Sequence, residues 1–211
     1  MKTIKGDVSA ELVEKRSRFI AEIFHVEKEE EAEEKIKQIR KKYYDAKHVC
    51  FAYSVIINEQ SKTKSSDDGE PSGTAGKPLL GIIEKNNLQN ILIVVTRYFG
   101  GILLGTGGLL RAYSGVAIEA LKQAQIIGVQ LGSQVQIEIF YDDNEKFKYY
   151  CKKNNIKIVD TKYNQNIVHI IEIDDECLKE LLEIYKTKNE ANDINIIKLV
   201  EICRKYIEKA E

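Results

Sequence analysis

The sequence predicts an α+β protein built as two domains. Two patterns carry that expectation. In the first half, strand-like runs at 8–13, 17–26, 48–57 and 91–95 are interspersed with helix-like runs at 27–44, 79–85 and 108–125. From residue 133 the order becomes strand, helix, strand, strand, helix, strand, a complete small domain in itself. The length allows it, since 211 residues and 24.1 kDa suit one large domain or two small ones. With 43% hydrophobic and 31% charged residues, the composition is that of a folded globular chain.

Each element has its own warrant. Residues 17–26 read SRFIAEIFHV, a β-rich run, and 27–44 place Ala32, Ile36, Ile39 and Tyr43 at helical spacing. That helix carries its acids first and its bases last, in line with the helix dipole, and its charges read as a solvated face. HVCFAYSVII at 48–57 is a buried strand, 58–76 a long polar loop, and 91–95 a continuous apolar run expected at a sheet centre. Leu109, Ala112, Tyr113, Val116, Ala117, Ala120 and Leu121 mark one face of the helix at 108–125. In the second half, 133–141 is a strand and 143–153 a helix. Residues 156–163 and 167–173 form a hairpin, 178–185 is a helix and 194–202 a last strand. This βαββαβ order is the ferredoxin-like plan, and the join is expected near 128–133, giving domains 1–132 and 133–211.

Composition excludes several functions. The 32 basic and 33 acidic residues nearly cancel, so binding to nucleic acid requires a local patch rather than a basic domain. No apolar run reaches the roughly 18 residues of a membrane span, and the N-terminal stretch lacks a signal peptide's apolar core. Four scattered cysteines without a CxxC suit a reduced, cytoplasmic setting.

The punctuation is concentrated. Nine of the 13 glycines and both prolines fall within residues 69–108, which places the functional centre between about 65 and 113. Lysine outnumbers arginine 26 to six, so Arg16, Arg18, Arg97 and Arg111 in this half point to geometry as well as charge. Three segments are expected to converge there. The first is SSDDGEPSGTAG, with Asp67, Asp68, Glu70, Ser72 and Thr74. The second is TRYFGG, with Arg97, Tyr98, Gly100 and Gly101. The third is GTGGLLRAY, with Gly105, Thr106, Gly107, Gly108, Arg111 and Tyr113. A glycine-rich turn feeding a helix start presents free backbone N–H groups and favours an anion. Arg111, placed in about the first turn, is disfavoured by the dipole by roughly 0.3–1 kcal/mol and calls for a negative partner. Either a bound phosphate or carboxylate supplies it, or Asp67, Asp68 or Glu70 does.

Several motifs fail. Gly100-x4-Gly105 continues Thr106-Gly107 where a P-loop needs Lys then Ser or Thr, and Leu110 stands where a dinucleotide fingerprint needs glycine. His48 and Cys50 share a strand face without further ligands nearby, so His48 reads as a core or pocket-edge residue and no metal or cofactor is assigned. The three acids could hold Mg²⁺ or simply be solvated. Tyr98 is expected to be exposed for stacking, Phe99 and Tyr113 to pack in the core, and no catalytic residue is named.

These residues resemble the IMPACT family, bacterial type. The matching string runs from Gly76, Leu79, Leu80 and Ile83 through Leu88, Val94, Val95, RYFGG at 97–101 and Leu104-Gly105. SRFIA at 17–21, His48-x-Cys50-x-Ala52-Tyr53, DDGEPSGTAG and GGLLRAY fit as well, and the resemblance covers the whole chain. It implies a ribosomal-protein-S5-domain-2-like first domain and a second domain similar to the last domain of elongation factor G. Eukaryotic members regulate translation with an additional domain that has no counterpart here. For bacterial members it implies association with RNA or the ribosome.

The leading expectation is therefore a cytoplasmic, translation-linked binding protein that meets RNA or the ribosome at the glycine-rich anion site. The alternative is an enzyme acting on a phosphorylated small molecule or nucleotide at the same place. A third reading, a protein-docking module, puts the affinity in the second domain, with the protein partner unknown.

Overall fold

The computed structural model describes residues 1–57, 60–187 and 194–209. The chain divides into two compact units, Met1–Gly128 and Val129–Glu211. The α+β, two-domain architecture read from the sequence is the one observed.

The first unit contains β1 (Lys2–Lys5), β2 (Val8–Glu14), β3 (Ser17–His25), α1 (Glu29–Lys42), β4 (His48–Ile57), β5 (Gln60–Ser66), α2 (Gly76–Lys85), β6 (Ile91–Tyr98) and α3 (Gly105–Lys122). Its main sheet is antiparallel in the order β2-β3-β6-β4-β5. Alternation sorts the side chains onto two cores. Phe19, Ala21, Ile23, Cys50, Ala52, Ile91, Ile93 and Val95 face α2 and α3. Phe24, Val49, Phe51, Tyr53, Leu92 and Val94 face Ala32, Ile36 and Ile39 of α1. Because both faces of the central strands are covered, β6 reads as an unbroken apolar run. Each fully buried Leu, Ile or Phe contributes about 1.5–3 kcal/mol.

Two strands depart from the expectation. Gln60–Ser66, read as loop, is β5, paired antiparallel along β4 from Ile57↔Gln60 to Phe51↔Ser66. It is an edge strand, exposed over most of its length, so its side chains carry no apolar period. The unpaired backbone groups of β4 recruit it. Residues 58 and 59 of the predicted loop lie outside the described residues. β1, also unread, pairs with the first residues of β7 (Gln125–Ile139), from Lys2↔Gly128 to Lys5↔Gln125. β7 runs without a break through the stretch expected to join the domains.

The second unit continues from Val129 in β7 to α4 (Asn144–Lys153), β8 (Lys157–Tyr163), β9 (Ile167–Asp174), α5 (Asp175–Thr187) and β10 (Ile196–Glu208). Its antiparallel order is β10-β7-β9-β8, the ferredoxin-like arrangement. Val135, Ile137, Ile139, Ile171 and Ile173 form its core with Phe147 and Cys151 of α4 and Leu178 and Leu181 of α5. His169 is fully buried here, between Thr161 and Asn144, so it is a satisfied core histidine.

Candidate functional site

The loop 67–76 connects β5 to α2, and its acids go to three different partners. Asp67 accepts from the backbone N–H groups of Gly73 (2.8 Å), Ala75 (2.9 Å) and Gly76 (2.8 Å). Burial works against its ionised form, but these three N–H groups outweigh it and hold its pKa below the ordinary carboxylate value. The anion at the start of α2 is thus the chain's own carboxylate. Gly76 is required there, because a Cβ would lie 2.8 Å from the backbone of Ser66.

Asp68 accepts a two-pronged contact from Arg40 of α1, at 2.6 and 3.0 Å, and a third bond from the Val49 N–H at 2.7 Å. Its pKa is also lowered, burial again opposing and the Arg40 and Val49 bonds prevailing. Glu70 is buried and accepts from Arg97 Nη1 at 2.6 Å and from the Tyr113 hydroxyl at 2.9 Å. His48 donates from Nδ1 to the Asp68 carbonyl at 2.8 Å, which leaves Nε2 3.9 Å from Glu70.

Arg97 is enclosed. Its Nη2 donates to Ser17 Oγ at 3.3 Å, its Nε is buried without a partner, and the guanidinium carbon lies 5.4 and 5.5 Å from the rings of Phe19 and Phe99. Ser17 Oγ also accepts from the Gly100 N–H at 3.2 Å. A Cβ on Gly100 would sit 2.0 Å from the Arg16 carbonyl carbon, so only glycine lets the 99–104 loop close over the β2–β3 turn. The Cys50 thiol, 2.9 Å from the Asp67 carbonyl and 3.4 Å from the Tyr113 oxygen, is pushed up to about 12 by burial. Burial likewise raises the Tyr113 phenol. Both groups are therefore neutral near pH 7.

The expected constellation splits into an interior and an exterior. His48, Asp67, Asp68, Glu70, Thr74, Arg97 and Tyr113 are turned inward, Thr74 donating to the Pro71 carbonyl at 2.6 Å. Ser72, Gly101, Gly105, Thr106, Gly107 and Arg111 are exposed, while Gly100 and Gly108 are half-buried. The acids do not answer Arg111, contrary to the internal-pairing alternative, because Arg40, Arg97 and the α2 backbone take them. Arg111 also lies in the second turn, since α3 opens at Gly105 rather than Gly108, and the dipole penalty fades within the first turn. Tyr98 is half-buried, its hydroxyl donating to Asp45 at 2.8 Å. Phe99, expected in the core, is 48% exposed because it caps Arg97 from outside. The acids go to separate partners, and no metal-holding group of three His, Cys, Asp or Glu occurs among the described residues. Arg40 was missed, although the scarcity of arginine marks it as it marks Arg97. Ser17 had no signal of its own.

Four of the six arginines pair with carboxylates: Arg18 with Glu11, Arg40 with Asp68, Arg97 with Glu70 and Arg204 with Asp175. Among the described residues, Arg16 and Arg111 make no ion pair. Both belong to one end of the first unit. There Leu12, Glu14, Lys15, Leu104, Gly108, Arg111 and Ala112 line a pocket of about 240 Å³, and Gly100 packs on the Arg16 backbone. The start of α3 has no side-chain cap and no acid in its first turn, so its leading N–H groups keep their positive character.

Comparison with known proteins agrees with the sequence motifs. The profile of the Impact N-terminal domain matches residues 15–121. The chain is 37% identical over 165 residues to the IMPACT family member YvyE of Bacillus subtilis, covering 78% of this chain and 76% of that one. To the IMPACT family member YigZ of Escherichia coli it is 44% identical over 110 residues, 52% and 54% of the two chains. A solved structure described as an hypothetical protein covers 93% of this chain and 97% of its own, with a TM-score of 0.65 and 28% identity. With that profile spanning the glycine-rich centre and YvyE matching most of both chains, the protein belongs to the IMPACT family.

Proposed function

We propose that this protein is a cytoplasmic, translation-linked binding protein that engages the ribosome or RNA at the face built by the β2–β3 turn, the 99–104 loop and the start of α3. One observation carries the reading. In a chain that pairs its other arginines with carboxylates, Arg111 at the uncapped start of α3 and exposed Arg16 on the β2–β3 turn make no ion pair among the described residues. Three cations with Lys15 make the local patch that a net charge of −1 otherwise denies. Family membership supports the translation link, because the resemblance of the motifs is to regulators of translation. Arg97 and the acidic loop are the scaffold under this face; they do not touch the partner.

Sedimentation of cell lysate at low and moderate salt tests it. Wild type is expected to co-migrate with ribosomal particles in a salt-sensitive way, and Arg16→Ala/Arg111→Ala to stay at the top. Wild type remaining at the top throughout would overturn the reading. The pocket beside Arg111 favours one alternative, an enzyme or receptor for a phosphorylated small molecule. That alternative predicts a thermal shift with phosphorylated ligands that Arg111→Ala abolishes.

A further inference from the structure

The face holding the free cations is also apolar. Leu103 is 82% exposed, and Phe99, Ile102 and Leu110 are each between 41% and 48% exposed. All four lie within residues 99–110, the segment that also gives Leu104 and Gly108 to the pocket lined by Leu12 and Ala112. The unit's other exposed large apolar side chains, Met1, Val13, Tyr44, Ile118 and Ile126, are scattered along the chain rather than gathered in one segment. Three of the four exposed residues are aliphatic. Single-stranded RNA is gripped by aromatic rings on which bases stack, whereas aliphatic side chains offer no such platform. An apolar centre with a charged rim is the anatomy of a protein interface. The pocket adds a concave element that accepts a protruding side chain.

We infer that this face docks an acidic protein segment: an apolar anchor residue enters the pocket beside Leu104 and Ala112, and flanking Asp or Glu side chains meet Lys15, Arg16 and Arg111. Charge complementarity selects the partner, since Lys15 and Arg111 line the pocket beside an uncapped helix start, exposed Arg16 follows Lys15 in the same turn, and Glu14 is the one acid in the lining. A carboxylate on the partner supplies the cap that α3 lacks. This rests on the proposed binding face and names the protein, rather than RNA, as what it contacts.

The test uses the full chain. Random dodecapeptides displayed on phage are selected on the immobilised protein, and the enriched peptides are measured by fluorescence anisotropy beside a labelled oligouridylate. Enriched sequences are expected to carry Asp or Glu on both sides of a Leu, Ile, Met or Phe. Leu103→Ser/Leu110→Ser and Arg111→Glu should each weaken them on the order of tenfold, with melting temperatures unchanged because these residues are exposed. No enrichment, peptides of other composition, or leucine variants that bind like wild type overturn the inference. So does an oligouridylate that binds more tightly than the peptides and depends on the same leucines. The gradient experiment separates the two failures. If Arg16→Ala/Arg111→Ala releases the protein from ribosomal particles while Leu103→Ser/Leu110→Ser does not, the binding face stands and the acidic-segment assignment falls.

Discussion

Arg97 donates to Glu70 across 2.6 Å with both side chains almost sealed from water, 6% and 3% exposed. The pair joins the end of the central strand to the loop that precedes α2, and Tyr113 brings α3 to the same carboxylate oxygen. Three separate elements thus meet at one oxygen atom. The most arginine-like feature of the signature is an internal tie.

Removing one member of this pair strands the other in the interior. Glu70→Ala is expected to destabilise the fold by about 3–5 kcal/mol, as for other broken buried pairs. Arg97→Lys should recover little, because a single ammonium cannot reach Glu70 and Ser17 together from between two rings. Urea unfolding monitored by circular dichroism reads both. A midpoint for Glu70→Ala indistinguishable from wild type would mean that the pair contributes nothing to the fold.

Gly100→Ala makes a second structural prediction. Its Cβ would come 2.0 Å from the Arg16 carbonyl carbon and 2.4 Å from the Ser17 nitrogen, so the backbone of the turn or of the loop has to move. Overpacking of this kind costs at least about 1–3 kcal/mol. The displaced turn carries Arg16, so affinity for the partner should fall together with the melting temperature. Gly107→Ala is the control, because its Cβ meets only the tip of Arg111 at 3.6 Å.

Acid sensitivity follows from Asp67 and Asp68. Both folded pKa values are lowered, so each contributes stability fully present above the unfolded value of about 3.9 and lost as pH falls through the folded value. Unfolding midpoints are expected to hold steady down to about pH 4–5 and then drop. Asp67→Asn should flatten that drop while lowering the plateau, because its amide oxygen still accepts from Ala75 and Gly76 without titrating but its NH2 cannot accept from Gly73. A profile equally steep in the variant would assign the acid sensitivity to other carboxylates.

Much of this was readable from the chain, and what was not has identifiable causes. Strands β4 and β6 announce themselves because both of their faces are buried, and α3 because one face is. β5 does not, since QSKTKSS is polar on both faces and is held by the backbone of its neighbour. The convergence of the acidic loop with RYFGG was legible from glycine and arginine content. Which acid takes which arginine was not. Arg40 and Arg97 lie 28 and 27 positions from Asp68 and Glu70, and only the packing of α1 on the sheet and the strand order bring them together. Phe99 was misassigned because its strand ends at Tyr98, so the alternation that buries Arg97 no longer binds the next ring.

The last prediction separates scaffold from contact. Arg16→Ala and Arg111→Ala remove exposed side chains without ion-pair partners, so stability should stay within about 0.5 kcal/mol of wild type. Binding should nevertheless be lost and its salt dependence flattened, since these two residues supply the local positive charge. Arg97→Ala should behave in the opposite way, with stability reduced and the salt slope of any residual binding unchanged. Titrating each variant against purified ribosomal particles over a range of salt, beside its melting temperature, resolves the two patterns. If Arg97→Ala flattens the salt slope while Arg111→Ala leaves it intact, the contacting charge lies with the buried arginine and the outward face is not the binding site.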